Sequence, residues 1–150
     1  MPSRAKARGW NVTCICAVAE ADTVVMGGDC AASNEDGDRT LRSPKVFERR
    51  SMLFGVSGEM RIGQLLRHVY DVPAINEGQD DLEQFIVRNL CCGLRGFLRK
   101  HAEELLPSPD DDEIWNLLVA TRGRIFRICS HFSASESATG YDAIGSATPH

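Results

Sequence analysis

Three residues near the front of the chain carry side chains that, brought together, would make an amide-cleaving site: Thr13, Asp29 and Lys45. A threonine hydroxyl is a weak nucleophile, and the usual activating base is the threonine's own α-amino group, which requires that threonine to open the mature chain. A lysine beside an aspartate stays charged, and a nearby positive charge lowers the pKa of a neighbouring amine or hydroxyl. Spacing alone leaves a plainer reading open: a strand threonine, a turn aspartate and a surface lysine. Other chemistry finds less support. His68, His101, His131 and His150 fall in no pattern that couples them to a serine or cysteine. Cys91 and Cys92 are neighbours on a helical stretch, where side chains diverge and do not converge on a metal. Gly27 and Gly28 lack the context of a phosphate-binding loop and suit close backbone packing. Cys14 is a second choice of N-terminal nucleophile, with a core position as its ordinary reading.

The pattern of apolar residues supplies elements able to hold the three together. Small and β-branched residues run almost continuously over 13–20 and 23–30, with Ala21-Asp22 between them, and predict a buried hairpin. Antiparallel pairing in that hairpin sets Asp29 beside Thr13. Residues 33–44 supply turn chemistry, Lys45 opens a short alternating strand over 45–49, and Arg50-Ser51 turns the chain into a buried strand over 52–57 that stops at Gly58. Ile62, Leu65, Leu66 and Val69 then fall at i, i+3, i+4 and i+7, which predicts a helix over 59–70. A second helix, capped by Asp80 or Asp81 and carrying Leu82, Phe85, Ile86, Leu90, Leu94, Phe97 and Leu98 on one face, should end near Leu106 before Pro107. A third hairpin spans 114–121 and 124–129 around Arg122-Gly123, and the polar tail holds one apolar run over 141–144. Strands, two helices, then strands indicate an α+β fold with helices on a largely antiparallel sheet. Strands this apolar need cover on both faces, and two helices cover only one.

With 150 residues, 43% of them hydrophobic and 25% charged, the chain has the composition of one globular domain. A net charge of −4 argues against a surface devoted to phosphate backbones, so nucleic acid is not expected as a partner. No run reaches 18 consecutive apolar residues, and Arg4, Lys6 and Arg8 precede no apolar stretch of a secretory signal. A cytoplasmic location with six reduced cysteines follows as the expectation, with no membrane partner, no cofactor and no metal. The opening residues show no periodicity and read as a leader.

Set in register, Thr13-Cys14-Ile15, Val24-Val25-Met26-Gly27-Gly28-Asp29, Pro44-Lys45-Val46-Phe47 and Phe54-Gly55-Val56-Ser57-Gly58 resemble the proteasome β-subunit type of N-terminal-nucleophile (Ntn) hydrolase, and most of all the bacterial proteasome-like peptidases. The intervals from Thr13, 16 residues to Asp29 and 32 to Lys45, agree with that family's order. The resemblance runs from Asn11 to about Ser146. It implies a four-layer αββα sandwich with antiparallel sheets, incomplete at its C-terminus, over residues 13–150, with 1–12 a leader or a mis-assigned start. It implies Thr13 as nucleophile, Asp29 and Lys45 in support, Gly58 as the oxyanion-hole amide, and Ser146 of Tyr141-Asp142-Ala143-Ile144-Gly145-Ser146 as a further supporting residue. Cys30, Ser33 and Arg61 are placed near the substrate pocket by the same analogy. The implied activity is threonine-type peptide hydrolysis by a homo-oligomeric ring acting on peptides or unfolded protein, with an ATPase as a possible partner. The second reading is a truncated, non-catalytic homologue that acts in assembly or peptide binding.

Overall fold

A computed structural model describes residues 14–34 and 37–145. Strand β1 (Cys14–Glu20) forms a hairpin with β2 (Thr23–Gly28) through Ala21-Asp22, as its apolar run predicts, but the hairpin is not buried as a whole: β1 buries two residues and β2, at the edge of its sheet, none. Strand β10 (Tyr141–Gly145), the apolar island in the polar tail, pairs with the other edge of β1, so the first sheet has the order β10-β1-β2. Period-two alternation sorts the side chains of β1: Ile15 and Ala17 point inward and are buried, while Cys16 and Val18 point out. The larger sheet has the order β5-β6-β7-β8-β9, built from β5 (Val46–Arg49), β6 (Met52–Gly58), β7 (Trp115–Thr121), β8 (Arg124–Cys129) and β9 (Ala134–Glu136). Every pairing in both sheets is antiparallel.

Two short elements were not anticipated. Residues 33–44 carry turn-forming side chains, yet the backbone forms a small antiparallel ladder, β3 (Ala31–Asn34) with β4 (Gly37–Thr40). It is held by backbone pairing and has no apolar alternation to betray it. Likewise β9 lies within the polar tail, fixed to β8 by ladder bonds and by the two-pronged contact of Arg124 with Glu136 at 2.7 and 2.6 Å.

Helix α1 (Met60–His68) buries Ile62, Leu65 and Leu66 of the stripe read from the sequence, whereas Val69, its fourth member, caps the helix end and is exposed. The second helical stretch starts at α2 (Leu82–Phe85), whose N-terminus is capped by Asp81, with its carboxylate accepting from the Gln84 amide at 2.9 Å. It then widens into a π-helical turn (Ile86–Cys91) and continues as α3 (Cys92–His101). Regular helix stops at His101, earlier than Leu106, because the chain folds into a 3₁₀ turn (Glu103–Leu105) that lends the Leu105 carbonyl to the buried Trp115 indole N–H at 2.9 Å. Cys91 is buried, which pushes its thiol up to about 12, whereas Cys92 beside it is exposed, the divergence expected of helical neighbours.

The large sheet is packed on both faces. Phe54, Trp115, Leu117, Val119 and Phe126 face the helices, while Leu118, Ala120 and Ile125 face Ile15, Ala17 and Ile144 of the small sheet. The described residues thus stack a helical layer, the five-stranded sheet and the three-stranded sheet. The outer face of the small sheet presents Val18, Val25 and Tyr141, which are 55, 71 and 61% exposed. Among the described residues no helix is long and apolar enough to cross a membrane.

Candidate active site

The loop that leaves β2 turns at Asp29, while Lys45 immediately precedes β5 of the other sheet. One residue therefore comes from each sheet, and they meet at the seam. The Lys45 ammonium donates to Asp29 Oδ1 at 2.7 Å, and Ala31 N–H donates to the same oxygen at 3.0 Å. Asp29 Oδ2 accepts the Cys14 N–H at 2.6 Å, and the Asp29 N–H returns a bond to the Cys14 carbonyl at 3.2 Å. Lys45 also donates to the carbonyl of Ala31. The Asp29 carboxylate thus ties the backbone at the start of β1 to a lysine held on the opposing sheet.

Electrostatics follow from these partners. Partial burial pushes the Asp29 carboxyl up, but the hydrogen bond from Lys45, the amides of Cys14 and Ala31 and the lysine's charge outweigh it, and Asp29 lies below the ordinary carboxylate range. Lys45 is only 14% exposed, so the pair is shielded from solvent more than a surface ion pair is. Close approach of the two sheets depends on Gly28. A Cβ there would lie 2.4 Å from the Ile15 side chain and 3.2 Å from Val46. The packing role read for Gly27-Gly28 belongs to Gly28; Gly27 has open space around it.

Gly58 closes β6 at φ +92°, where a side chain would be strained, and an added Cβ would sit 2.4 Å from the Ile114 carbonyl. Gly58 and Lys45 line one cavity of about 370 Å³, roofed by α1 and walled by Phe47 and Val56. That is within the range of small-ligand pockets. Three of the five residues singled out as chemical, Asp29, Lys45 and Gly58, are therefore gathered around one seam and its cavity; Thr13 and Ser146 lie outside the described residues. Of the pocket residues placed by analogy, Arg61 lines the cavity, Cys30 does not, and the Ser33 side chain lies outside the description. Cys14 is half-buried and not in the core, with its Sγ 3.7 Å from that of Cys16.

The sequence reading missed the rest of the cavity lining. Met60, Gly63, Gln64, Arg67 and His68 all face it. Their signal was present as a second stripe on α1, at i, i+3, i+4, i+7 and i+8, beside the apolar stripe that was read. Among the described residues no group of three or more histidine, cysteine, aspartate or glutamate side chains is placed to hold a metal ion.

Comparison with solved structures gives this arrangement a class: it is the α+β fold of the proteasome-type Ntn hydrolases. A structure of BPH from Thiobacillus denitrificans in complex with epoxomicin matches with a TM-score of 0.68 and 16% identity, over 91% of this chain and 73% of that one. Eukaryotic HslV from Trypanosoma brucei matches at 0.55 and 19%, over 90 and 72% of the two chains. Anbu (ancestral beta-subunit) from Yersinia bercovieri matches at 0.56 and 17%, over 89 and 61%. At these identities the likeness is one of fold. No protein-family model and no curated protein matches the chain.

Proposed function

We propose that this chain is a threonine-type peptidase subunit that hydrolyses peptide bonds through an acyl-enzyme on Thr13. The observation that carries the reading is the Asp29 carboxylate, which grips the Cys14 amide at 2.6 Å and the Lys45 ammonium at 2.7 Å. Cys14 follows Thr13 directly, so a supported cation is tied to the backbone next to the nucleophile. The same grip favours Thr13 over Cys14, because the Cys14 nitrogen is already committed as an amide donor within the network.

In this mechanism, removal of residues 1–12 frees the Thr13 amine. The Thr13 hydroxyl attacks the substrate carbonyl while its own amine takes the proton, and the Gly58 amide stabilises the oxyanion. Collapse of the tetrahedral adduct breaks the C–N bond, the amine proton passes to the leaving group, and water then hydrolyses the ester. Asp29 and Lys45 act as positioning groups, with the lysine's charge keeping the Thr13 amine unprotonated and able to serve as base. Ser146 follows Gly145, the register partner of Cys14, and supports the same end of β1 in this reading. The proposal extends, as the resemblance of the sequence implies, to several copies assembled as a ring in the cytoplasm that receives peptides or unfolded protein, with an ATPase as a further partner.

The test is intact mass and N-terminal labelling of the purified protein after treatment with epoxomicin, the compound bound in the BPH structure. A chain that begins at Thr13 and carries the adduct is the expected result. A full-length, unmodified chain would overturn the peptidase reading in favour of a non-catalytic subunit that assembles or binds peptide.

A further inference from the structure

We infer that the cavity beside Lys45 and Gly58 selects a glutamyl side chain, and that Arg67 is the residue that recognises it. This rests on the reading above, in which the carbonyl under attack lies at Lys45 and Gly58; the side chain of the same residue then enters the cavity those two residues line. Its ionisable lining is one-sided among the described residues: Arg61, Arg67 and His68 line it together with Lys45, and no aspartate or glutamate does. Two of these cations are already engaged. Lys45 is bound to Asp29, and Arg61 pairs with Glu104 at 3.2 Å on the protein's exterior. Arg67 differs, because among the described residues no carboxylate lies within ion-pair distance of it, and its guanidinium sits over the Phe47 ring at 5.8 Å from the centroid. Stacking on the ring holds the planar fork while leaving its N–H groups for an acceptor.

The walls favour glutamate in particular. Phe47, Val56 and Leu65 offer an apolar surface to two methylenes, and the Arg67 guanidinium sits over the Phe47 ring of that surface. A leucyl side chain would fill the same wall but strip water from Arg67 and return no hydrogen bond. A lysyl side chain would meet Arg61 and Arg67 as like charges.

Binding can be read without catalysis, using fluorescence anisotropy of the full chain with fluorescein-labelled Ala-Ala-Glu, Ala-Ala-Leu and Ala-Ala-Lys, each as the C-terminal amide. The glutamyl probe should bind roughly tenfold more tightly than the lysyl probe, and more tightly than the leucyl one, as a charge-assisted hydrogen bond supplies. Arg67→Lys should keep that order and Arg67→Glu should reverse it between glutamyl and lysyl probes. Both variants lie on the half-buried flank of α1, so retained helical circular dichroism serves as the folding control. A leucyl probe that binds tightest, a glutamyl preference unchanged in Arg67→Glu, or no saturation by the glutamyl probe up to about 1 mM would each overturn the inference. Failure of selectivity with the epoxomicin adduct intact removes only the role of Arg67. Selectivity without an adduct removes the peptidase and leaves the pocket.

Discussion

The two sides of the five-stranded sheet are packed on different principles. Among the described residues, 24 buried ones form the core toward the helices, including Phe54, Phe85, Trp115 and Phe126. Toward the three-stranded sheet there are six among them: Ile15, Ala17, Leu118, Ala120, Ile125 and Ile144. Large side chains on the first side give the area that holds the domain together. The second side carries aliphatic residues and no aromatic one among those described, and with Gly28 and Gly55 against Ile15 the sheets come close enough for Asp29 from one to reach Lys45 beside the other at 2.7 Å. One core supplies stability, the other supplies distance, and the site belongs to the thinner one.

That division is most easily broken at Trp115. It is fully buried, meets Phe132 edge-on at 5.4 Å between ring centres and donates its indole N–H to Leu105. Trp115→Ala should cost about 3–5 kcal/mol, read as a lower urea midpoint at unchanged slope. Ile15→Ala, in the thinner core, should cost less, about 2–3 kcal/mol, because Gly28 and Gly55 on either side allow the sheets to settle inward. Yet its effect on epoxomicin adduct formation should be the larger of the two when each variant is assayed well below its unfolding midpoint. Equal stability costs, or an adduct rate that simply tracks stability in both variants, would erase the distinction between the cores.

Much of this was readable in the sequence where one physical rule dominated. The hairpins formed by β1 with β2 and by β7 with β8 follow from apolar runs separated by two-residue turns, and the buried stripe of α1 from a period of 3.6. The end of α3 was misplaced because Leu105 continues the helical stripe but is buried through a 3₁₀ turn. The ladder of β3 with β4, and the short β9, were invisible for another reason: backbone bonds and an arginine fork hold them, and neither leaves a periodic trace. For the site, type and spacing drew attention to Asp29 and Lys45 but left a plainer reading open, and Gly58 came forward only through the resemblance. The cationic flank of α1 was passed over because polar residues opposite an apolar stripe are usually just solvated; Arg67 stands out only once Phe47 is seen beneath it.

The smallest effect comes from the contact at the seam itself. Asp29→Asn keeps a carbonyl oxygen for one backbone amide but loses the charge that faces Lys45, and at neutral pH it should cost about 1–2 kcal/mol, the scale of a charged hydrogen bond partly exposed to solvent. Its sign with pH is fixed by the direction of the Asp29 shift. The folded carboxyl titrates below its unfolded value, so the contribution is complete above about pH 4 and fades as pH falls through the folded value. Wild type and Asp29→Asn should therefore differ by a constant amount from neutral pH down to about pH 4 and converge in stronger acid. Urea midpoints measured across that range decide it. A gap that closes already near pH 6, or widens in acid, would mean that Asp29 is not held as an anion by Lys45 and the Cys14 amide, and that the seam owes its geometry to the packing of Ile15 against Gly28 alone.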